Sequence, residues 1–280
     1  MGTLYLVATP IGNLEDSSAR ALRILGSASL IAAEDTRRAG SLLAHFGLHT
    51  PILSYFEHNK LARLDRVLTE LDTGDVALVS DAGTPNLSDP GYELVRTVLD
   101  AGHAVVAIPG PSAVMTALVA SGLPTDAFVY LGFLPRKAGD RQRLLTSVAR
   151  EPRTLVAYEA PHRLLEALAG IQAALGDRPV AVARELTKLH EEIFRGPASA
   201  AREHFAAKEI LGEITLVIAG AALAAAAEPW DVEQVRAELT SLLAAGDLKK
   251  KDAARLVAEQ SGWQAREVYR LAAEDSATDE

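Results

Sequence analysis

Over its first 125 residues this chain alternates short apolar runs with amphipathic stretches, and three of the apolar runs end in loops rich in glycine and proline. Residues 3–8, 30–33, 51–55, 75–80 and 104–108 read as strands. Residues 17–25, 38–46, 61–71, 92–100 and 112–121 read as helices. In the third of these Leu61, Leu64, Leu68 and Leu71 fall at three- and four-residue steps, which lines them along one face. Parallel strands need a crossover between them, usually a helix. The rhythm therefore predicts an α/β domain with a mostly parallel sheet over residues 1–122.

The pattern changes after Gly122-Leu123-Pro124-Thr125. Residues 128–131, 154–158, 180–184, 191–195 and 213–219 read as strands, with helices at 140–150, at 162–175 and from Pro197 onward. Hairpin-like and crossover connections are mixed, which predicts a mixed sheet in a second α/β domain over residues 123–228. From Trp230 the chain reads as helix, giving a small C-terminal helical domain over residues 229–280. No segment has the basic start and long apolar core of a signal peptide. The alanine-rich stretch at 218–227 is too short and too weakly hydrophobic to span a bilayer. A cytoplasmic protein with no membrane partner is expected.

The three loops are Ala8-Thr9-Pro10-Ile11-Gly12-Asn13-Leu14, the run from Ser80 to Gly91, and Ile108-Pro109-Gly110-Pro111-Ser112-Ala113. Ligands of open α/β sheets bind outside the carboxyl ends of the strands. Glycine lets backbone approach a ligand, and proline fixes a loop without needing an N–H partner. Any one of these loops is also an ordinary turn. Three at three strand ends point to a polar, nucleotide-like ligand. Neither G-x-x-x-x-G-K-[ST] nor G-x-G-x-x-G is present. The loops carry little positive charge, which disfavours a triphosphate and suits a sulfonium cofactor. The chain has no cysteine, which excludes disulfides, thiolate metal sites and a thiol nucleophile. Its seven histidines lack the spacing of a helix-borne zinc site, so no metal is expected.

Several motifs recur together in one family. They are Thr9-Pro10-Ile11-Gly12-Asn13, Ala33-Glu34-Asp35-Thr36-Arg37, Val79-Ser80-Asp81-Ala82-Gly83-Thr84-Pro85 with Asp89-Pro90-Gly91, and Pro109-Gly110-Pro111-Ser112. Tyr158-Glu159, Pro161-His162-Arg163, Ala183-Arg184-Glu185-Leu186-Thr187-Lys188 and Gly212-Glu213 follow in the same order. The chain resembles the ribosomal RNA small subunit methyltransferase I family, within the tetrapyrrole-methylase superfamily, from residue 3 to about residue 275. The resemblance implies a two-domain, class III methyltransferase fold with S-adenosylmethionine in the cleft between the domains. It also implies a homodimer, and 2′-O-methylation of a cytidine in the decoding region of 16S ribosomal RNA, with that RNA or the small ribosomal subunit as partner. A methyltransferase for a porphyrin or corrin precursor, and a non-enzymatic nucleic-acid-binding regulator, are the rival readings. The regulator leaves the three strand-end loops unexplained.

On this resemblance Pro10, Asp81, Ala82, Gly83, Pro85, Pro109, Gly110, Pro111, Ser112, Ala113, Tyr158 and Leu186 are candidates to hold the cofactor. Asp81 is equally a loop-capping residue. Transfer to a ribose hydroxyl needs in-line alignment and a general base. Glu159, Arg184, Glu185 and Lys188 are the catalytic candidates, with a structural ion-pair network as the alternative for the last three. In Glu57-His58-Asn59-Lys60, His58 and Asn59 read as helix-capping residues.

The net charge is −9, which argues against a nucleic-acid partner unless the positive charge is local. Residues 136–153 carry a net +4, from Arg136, Lys137, Arg141, Arg143, Arg150 and Arg153. Arg37, Arg136, Lys137, Arg141 and Arg143 are candidate RNA contacts, against a plain solvated helix face. In the C-terminal helices Lys249, Lys250, Arg266 and Arg270 are further candidates. The pattern around Ala258, Gly262, Val268 and Leu271 resembles a helix-turn-helix, weakened by Ser261 at a position that prefers an apolar residue. A plain helical hairpin fits equally.

Overall fold

A computed structural model describes residues 2–56, 60–221, 230–244, 250–261 and 263–274. The chain forms two compact units, Met1–Gly220 and Ala221–Glu280. The first unit holds two five-stranded sheets. His58, Asn59, Lys249 and Gly262 lie outside the described residues.

The first sheet contains β1 (Thr3–Val7), β2 (Leu30–Ala33), β3 (Ile52–Ser54), β4 (Val76–Val79) and β5 (Ala104–Ile108), in the order β3-β2-β4-β1-β5. Every pairing is parallel. All residues of β2 and β4 are buried, as expected for strands covered on both faces. Alternate residues feed opposite layers. Ile31 and Ala33 pack with Ile24, Leu25 and Leu43 of α1 (Ala19–Ser27) and α2 (Thr36–His45). Leu30 and Ala32 pack with Val67, Leu71, Leu94 and Val98 of α3 (Lys60–Leu71) and α4 (Tyr92–Asp100). Neighbouring β1 and β4 bring their following loops together. Thr9 and Gly83 exchange both backbone hydrogen bonds, at 2.9 and 3.0 Å.

The second sheet contains β6 (Phe128–Phe133), β7 (Thr154–Glu159), β8 (Pro179–Arg184), β9 (Glu192–Pro197) and β10 (Ile214–Ile218), in the order β6-β7-β10-β8-β9. Only β6 and β7 pair in parallel, so the sheet is mixed. Helix α5 (Ala113–Ala120), which leaves the loop after β5, packs Val114, Ala117 and Leu118 on Val156, Ala181 and Val217. Helices α6 (Ala138–Ser147), α7 (Leu164–Leu175) and α8 (Ala198–Ala206) cover the other face. There Leu145, Leu168, Ile171 and Phe205 meet Leu155, Val182 and Leu216. Each such side chain contributes about 1.5–3 kcal/mol by leaving water. Helix α6 stops at Ser147, short of the expected Arg150. Pro152 disfavours the helical conformation at Glu151, so the chain turns before it.

The second unit consists of α9 (Val232–Ala244), α10 (Lys250–Ser261) and α11 (Ala265–Glu274) around Val235, Leu239, Val257, Val268 and Leu271. Ser261 is buried, and its Oγ accepts the Trp263 N–H at 3.3 Å. The position is therefore a core one, made tolerant of a hydroxyl by a local hydrogen bond. No helix among the described residues is long and apolar enough to cross a membrane.

Candidate active site

The loop after β4 and the ends of β7 and β10 border a cleft of about 410 Å³ in the first unit. Its floor is made of small or apolar groups: Ala82, Gly83, Ala113, Ala183 and Leu186. Gly83 has φ +79°, and a Cβ there would stand 3.3 Å from the Ile11 side chain. An L-residue is disfavoured in that conformation, so the sequence needs glycine for the loop to turn against Thr9. Asn86 and Ser88 also take positive φ (70° and 65°) in the same loop, and of the two Ser88 lines the cleft.

The polar walls are mainly acidic. Glu34, Asp81 and Asp89 all border the cleft. Burial, then the charge of Asp81, pushes the Asp89 carboxyl up to about 6 against a hydrogen bond from Ser80. Burial, then repulsion from Asp89 and Asp81, raises Glu34 as well. Asp81 Oδ1 accepts the Asp35 N–H at 3.0 Å, and Arg38 is the partly neutralising cation, 3.5 Å from Asp81 Oδ2. Carboxylates that repel one another welcome a cationic ligand and repel phosphate. The cavity size, the close backbone at Gly83 and this charge fit S-adenosylmethionine, which carries a sulfonium and an ammonium but no phosphate.

Glu159 ends β7 and is 2 % exposed. Its Oε1 accepts the Ala160 N–H at 2.7 Å and sits 2.5 Å from the Arg163 guanidinium. Its Oε2 is buried with no hydrogen-bond partner among the described residues, in a residue that borders the cleft. Burial raises its pKa, against the Ala160 N–H and Arg163. Tyr158 borders the cleft too, and burial pushes its phenol well above the ordinary value. It contacts Tyr130 and Phe133, with ring centroids 5.5 and 5.2 Å away.

The segment after β8 separates the remaining catalytic candidates. The Arg184 guanidinium donates to Glu192 Oε2 at 3.2 Å and to the carbonyls of Leu211 and His190 at 3.3 and 3.2 Å. It does not border the cleft, and three of its five N–H donors are taken by the fold. Lys188 Nζ donates to Glu185 Oε1 at 2.8 Å and to Glu213 Oε2 at 3.1 Å. Of that trio only Glu213 borders the cleft. Glu185 and Thr187 have φ of 54° and 65°. A Cβ on Gly12 would stand 2.4 Å from Lys188 Cγ, so glycine is required where this segment meets the first loop.

Other expected residues fall behind or beside the cleft. Pro10 and Arg37 line an adjoining groove of about 560 Å³ with Arg38 and Asp81. Arg37 is chelated by Asp35, at 3.1 and 2.7 Å. Pro85 is buried behind its loop. Of residues 109–113 only Ala113 borders the cleft. A Cβ on Gly110 would lie 2.9 Å from Ala8 Cβ, so Gly110 serves packing. The Pro111 carbonyl accepts the Thr84 hydroxyl at 3.1 Å, while Pro109 and Ser112 lead into α5.

The basic segment needs one correction. Arg141 is 5 % exposed and donates to Glu166 Oε2 at 3.1 Å and to the Pro135 carbonyl at 3.4 Å. Burial removes it from any phosphate-facing surface. Arg143 is exposed and paired with Asp140. Arg136 and Lys137 are exposed, and neither has an ion-pair partner among the described residues. Lys250, Arg266 and Arg270 are exposed on α10 and α11. Sequence reasoning missed Asp89, Glu213 and Phe133 as cleft residues.

Comparison with known proteins shows the family and the fold. Residues 3–202 match the model of the Tetrapyrrole (Corrin/Porphyrin) Methylases. A Synechocystis relative named ribosomal RNA small subunit methyltransferase I is 49% identical over 276 residues, covering 98% of each chain. The relative of that name from Escherichia coli O157:H7 is 45% identical, covering 98% of this chain and 95% of its own. A Thermotoga maritima relative of the same name is 49% identical, and 79% of this chain covers 99% of it. Among solved structures, the uroporphyrin-III C-methyl transferase from Thermus thermophilus complexed with S-adenyl homocysteine superposes with a TM-score of 0.55. It is 21% identical and covers 78% of this chain and 97% of its own, a likeness of fold. The chain belongs to the tetrapyrrole methylase family and, within it, to the ribosomal RNA small subunit methyltransferase I family.

Proposed function

We propose that this chain transfers the methyl group of S-adenosylmethionine to the 2′-hydroxyl of cytidine 1402 in 16S ribosomal RNA. The RNA or the small subunit that contains it is the partner. Membership of a family whose relatives carry the ribosomal RNA methyltransferase name supports the substrate class. It also disfavours a porphyrin or corrin precursor. When bound, the cofactor supplies a methyl group on a sulfonium, ready for in-line displacement. Gly83, Ala82, Ala113 and Leu186 bind it, and Asp81, Asp89 and Glu34 favour its positive charge.

The observation that carries the reading is the Glu159 carboxylate. Arg163 and the Ala160 N–H fix one oxygen, and the other has no hydrogen-bond partner among the described residues. With the cofactor supplying the methyl group, Glu159 would take the proton of the 2′-hydroxyl at that oxygen. Burial makes Glu159 a stronger base than a solvated glutamate. It must be ionised to act, so turnover falls as pH drops through its raised pKa. Glu159→Gln is expected to lower kcat by about 10²–10⁴-fold while cofactor affinity stays within a few fold. Methyl transfer to small subunits and calorimetric cofactor binding measure the two. Unchanged kcat in the variant would remove Glu159 from the reaction.

A further inference from the structure

Phe133 is a large apolar side chain left 57 % exposed at the border of the cleft. Its position depends on an irregularity in β6. Tyr130 pairs with Val156 and Phe133 with Tyr158, so β6 advances three residues while β7 advances two. The extra residue is a bulge, and Gly132 within it has φ +68°. Before the bulge the strand alternates cleanly. Phe128 and Tyr130 face the α5 layer, and Val129 and Leu131 face the layer of α6 and α7. Plain alternation would send Phe133 into the α6–α7 core and Leu134 toward the cleft. The bulge reverses this: Leu134 is buried in that core and Phe133 stands against Tyr158 on the cleft side. Bulges next to active sites commonly re-aim a side chain in this way.

The ring is also well supported. Tyr158 holds it from one side at 5.2 Å, and Tyr130 backs Tyr158 at 5.5 Å. The Tyr130 hydroxyl and Ser88 Oγ are 2.6 Å apart, which ties this ladder to the loop after β4. The following residue is pinned as well. Leu134 N–H donates to the Tyr158 carbonyl at 3.1 Å, and its carbonyl accepts from Arg163 at 3.2 Å. Arg136 and Lys137 follow in sequence, exposed and without ion-pair partners among the described residues. A supported aromatic face followed in sequence by two exposed cations, with no ion-pair partner among the described residues, is the composition of a single-stranded RNA contact, where bases stack and phosphates meet Arg or Lys.

We infer that Phe133 is the stacking platform for a nucleobase of the RNA substrate, holding the unstacked target nucleotide at the cleft. This rests on the RNA reading above and names how that substrate is seated. Phe133 is a positioning residue, since the ring takes no part in bond making.

The test measures methyl transfer to small ribosomal subunits from cells lacking the modification, with cofactor affinity measured separately. Phe133→Ala is expected to lower kcat/KM for subunits roughly tenfold to a hundredfold, mainly through KM. Phe133→Tyr and Phe133→Trp are expected to restore most of it, and Phe133→Leu to stay near the alanine value. Cofactor Kd is expected to remain unchanged in all four. A leucine variant as active as wild type would make Phe133 a mere apolar wall and overturn the inference. So would a loss of cofactor affinity matching the loss of kcat/KM, which would put the ring on the cofactor. Absence of transfer by the wild-type chain would instead defeat the RNA reading itself, so the two failures are distinguishable.

Discussion

Asp89 shows how a single residue couples the cleft to the stability of the fold. Its carboxyl is pushed from 3.8 up to about 6 by burial and by Asp81. Between those values the folded chain keeps a proton that the unfolded chain has released. Stability therefore falls as pH rises through this window and stays lower above it. Asp89→Asn removes the charge and with it the penalty. We expect the variant to be more stable than wild type by about 1 kcal/mol at pH 7, after discounting for solvent screening, and equal to it near pH 3.5. Thermal melts of the free protein at the two pH values check this. An advantage of the same size at both pH values would show that packing, not charge, is the cause. Asp81 and Asp89 share the loop after β4, while Glu34 follows β2, the neighbouring strand. Their types were visible in the motifs, but the repulsion that Asp89 and Asp81 exert on Glu34 depends on β2 lying beside β4. Arg141 illustrates the converse. It sits in a run that reads as basic surface, yet Glu166 from the next helix and the Pro135 carbonyl take it inside.

Elements were legible in the sequence wherever period and punctuation agreed. The β4 core, the helix Tyr92–Asp100 and the strand Ala104–Ile108 fall where alternation and turn residues put them. The end of β6 was not legible. Reading stops at Leu131 because Gly132 breaks the pattern, and only pairing with β7 reveals a bulge there. Gly132→Ala tests this element directly. A Cβ at that point meets only Ser88 Oγ, at 3.6 Å, so the cost is in the backbone. We expect a loss of about 1–2 kcal/mol in urea unfolding, and a fall in subunit methylation with cofactor affinity retained. Wild-type stability in the variant would show that the bulge does not need its left-handed residue. The segment after β8 was half legible: its Arg, Glu and Lys were visible. That Arg184 serves Glu192 and two carbonyls depends on β9, which lies beyond it in the chain.

At the scale of the molecule, the acidic net charge and the RNA reading are reconciled by location. Arg136 and Lys137, without ion-pair partners among the described residues, follow Phe133 closely in sequence, and Lys250, Arg266 and Arg270 lie on the helices of the second unit. The Thermotoga maritima relative is covered to 99% by 79% of this chain, so a family member of that name is shorter than this chain. Deleting residues 230–280 is therefore expected to weaken binding to small subunits more than binding to the cofactor, while leaving measurable transfer at saturating subunit. Equal subunit affinity in the truncated protein would take RNA contact away from these helices.

The most direct measurement concerns the product. Alkaline cleavage of RNA needs a free 2′-hydroxyl to attack the neighbouring phosphate, so a ribose-methylated nucleotide leaves an alkali-resistant dinucleotide and a base-methylated one does not. Small subunits lacking the modification would be incubated with this protein and methyl-labelled S-adenosylmethionine, and their 16S RNA hydrolysed in alkali. The account expects the label in one resistant dinucleotide that begins with cytidine, and its loss with Glu159→Gln. Label in alkali-sensitive mononucleotides would place the methyl on a base and contradict it.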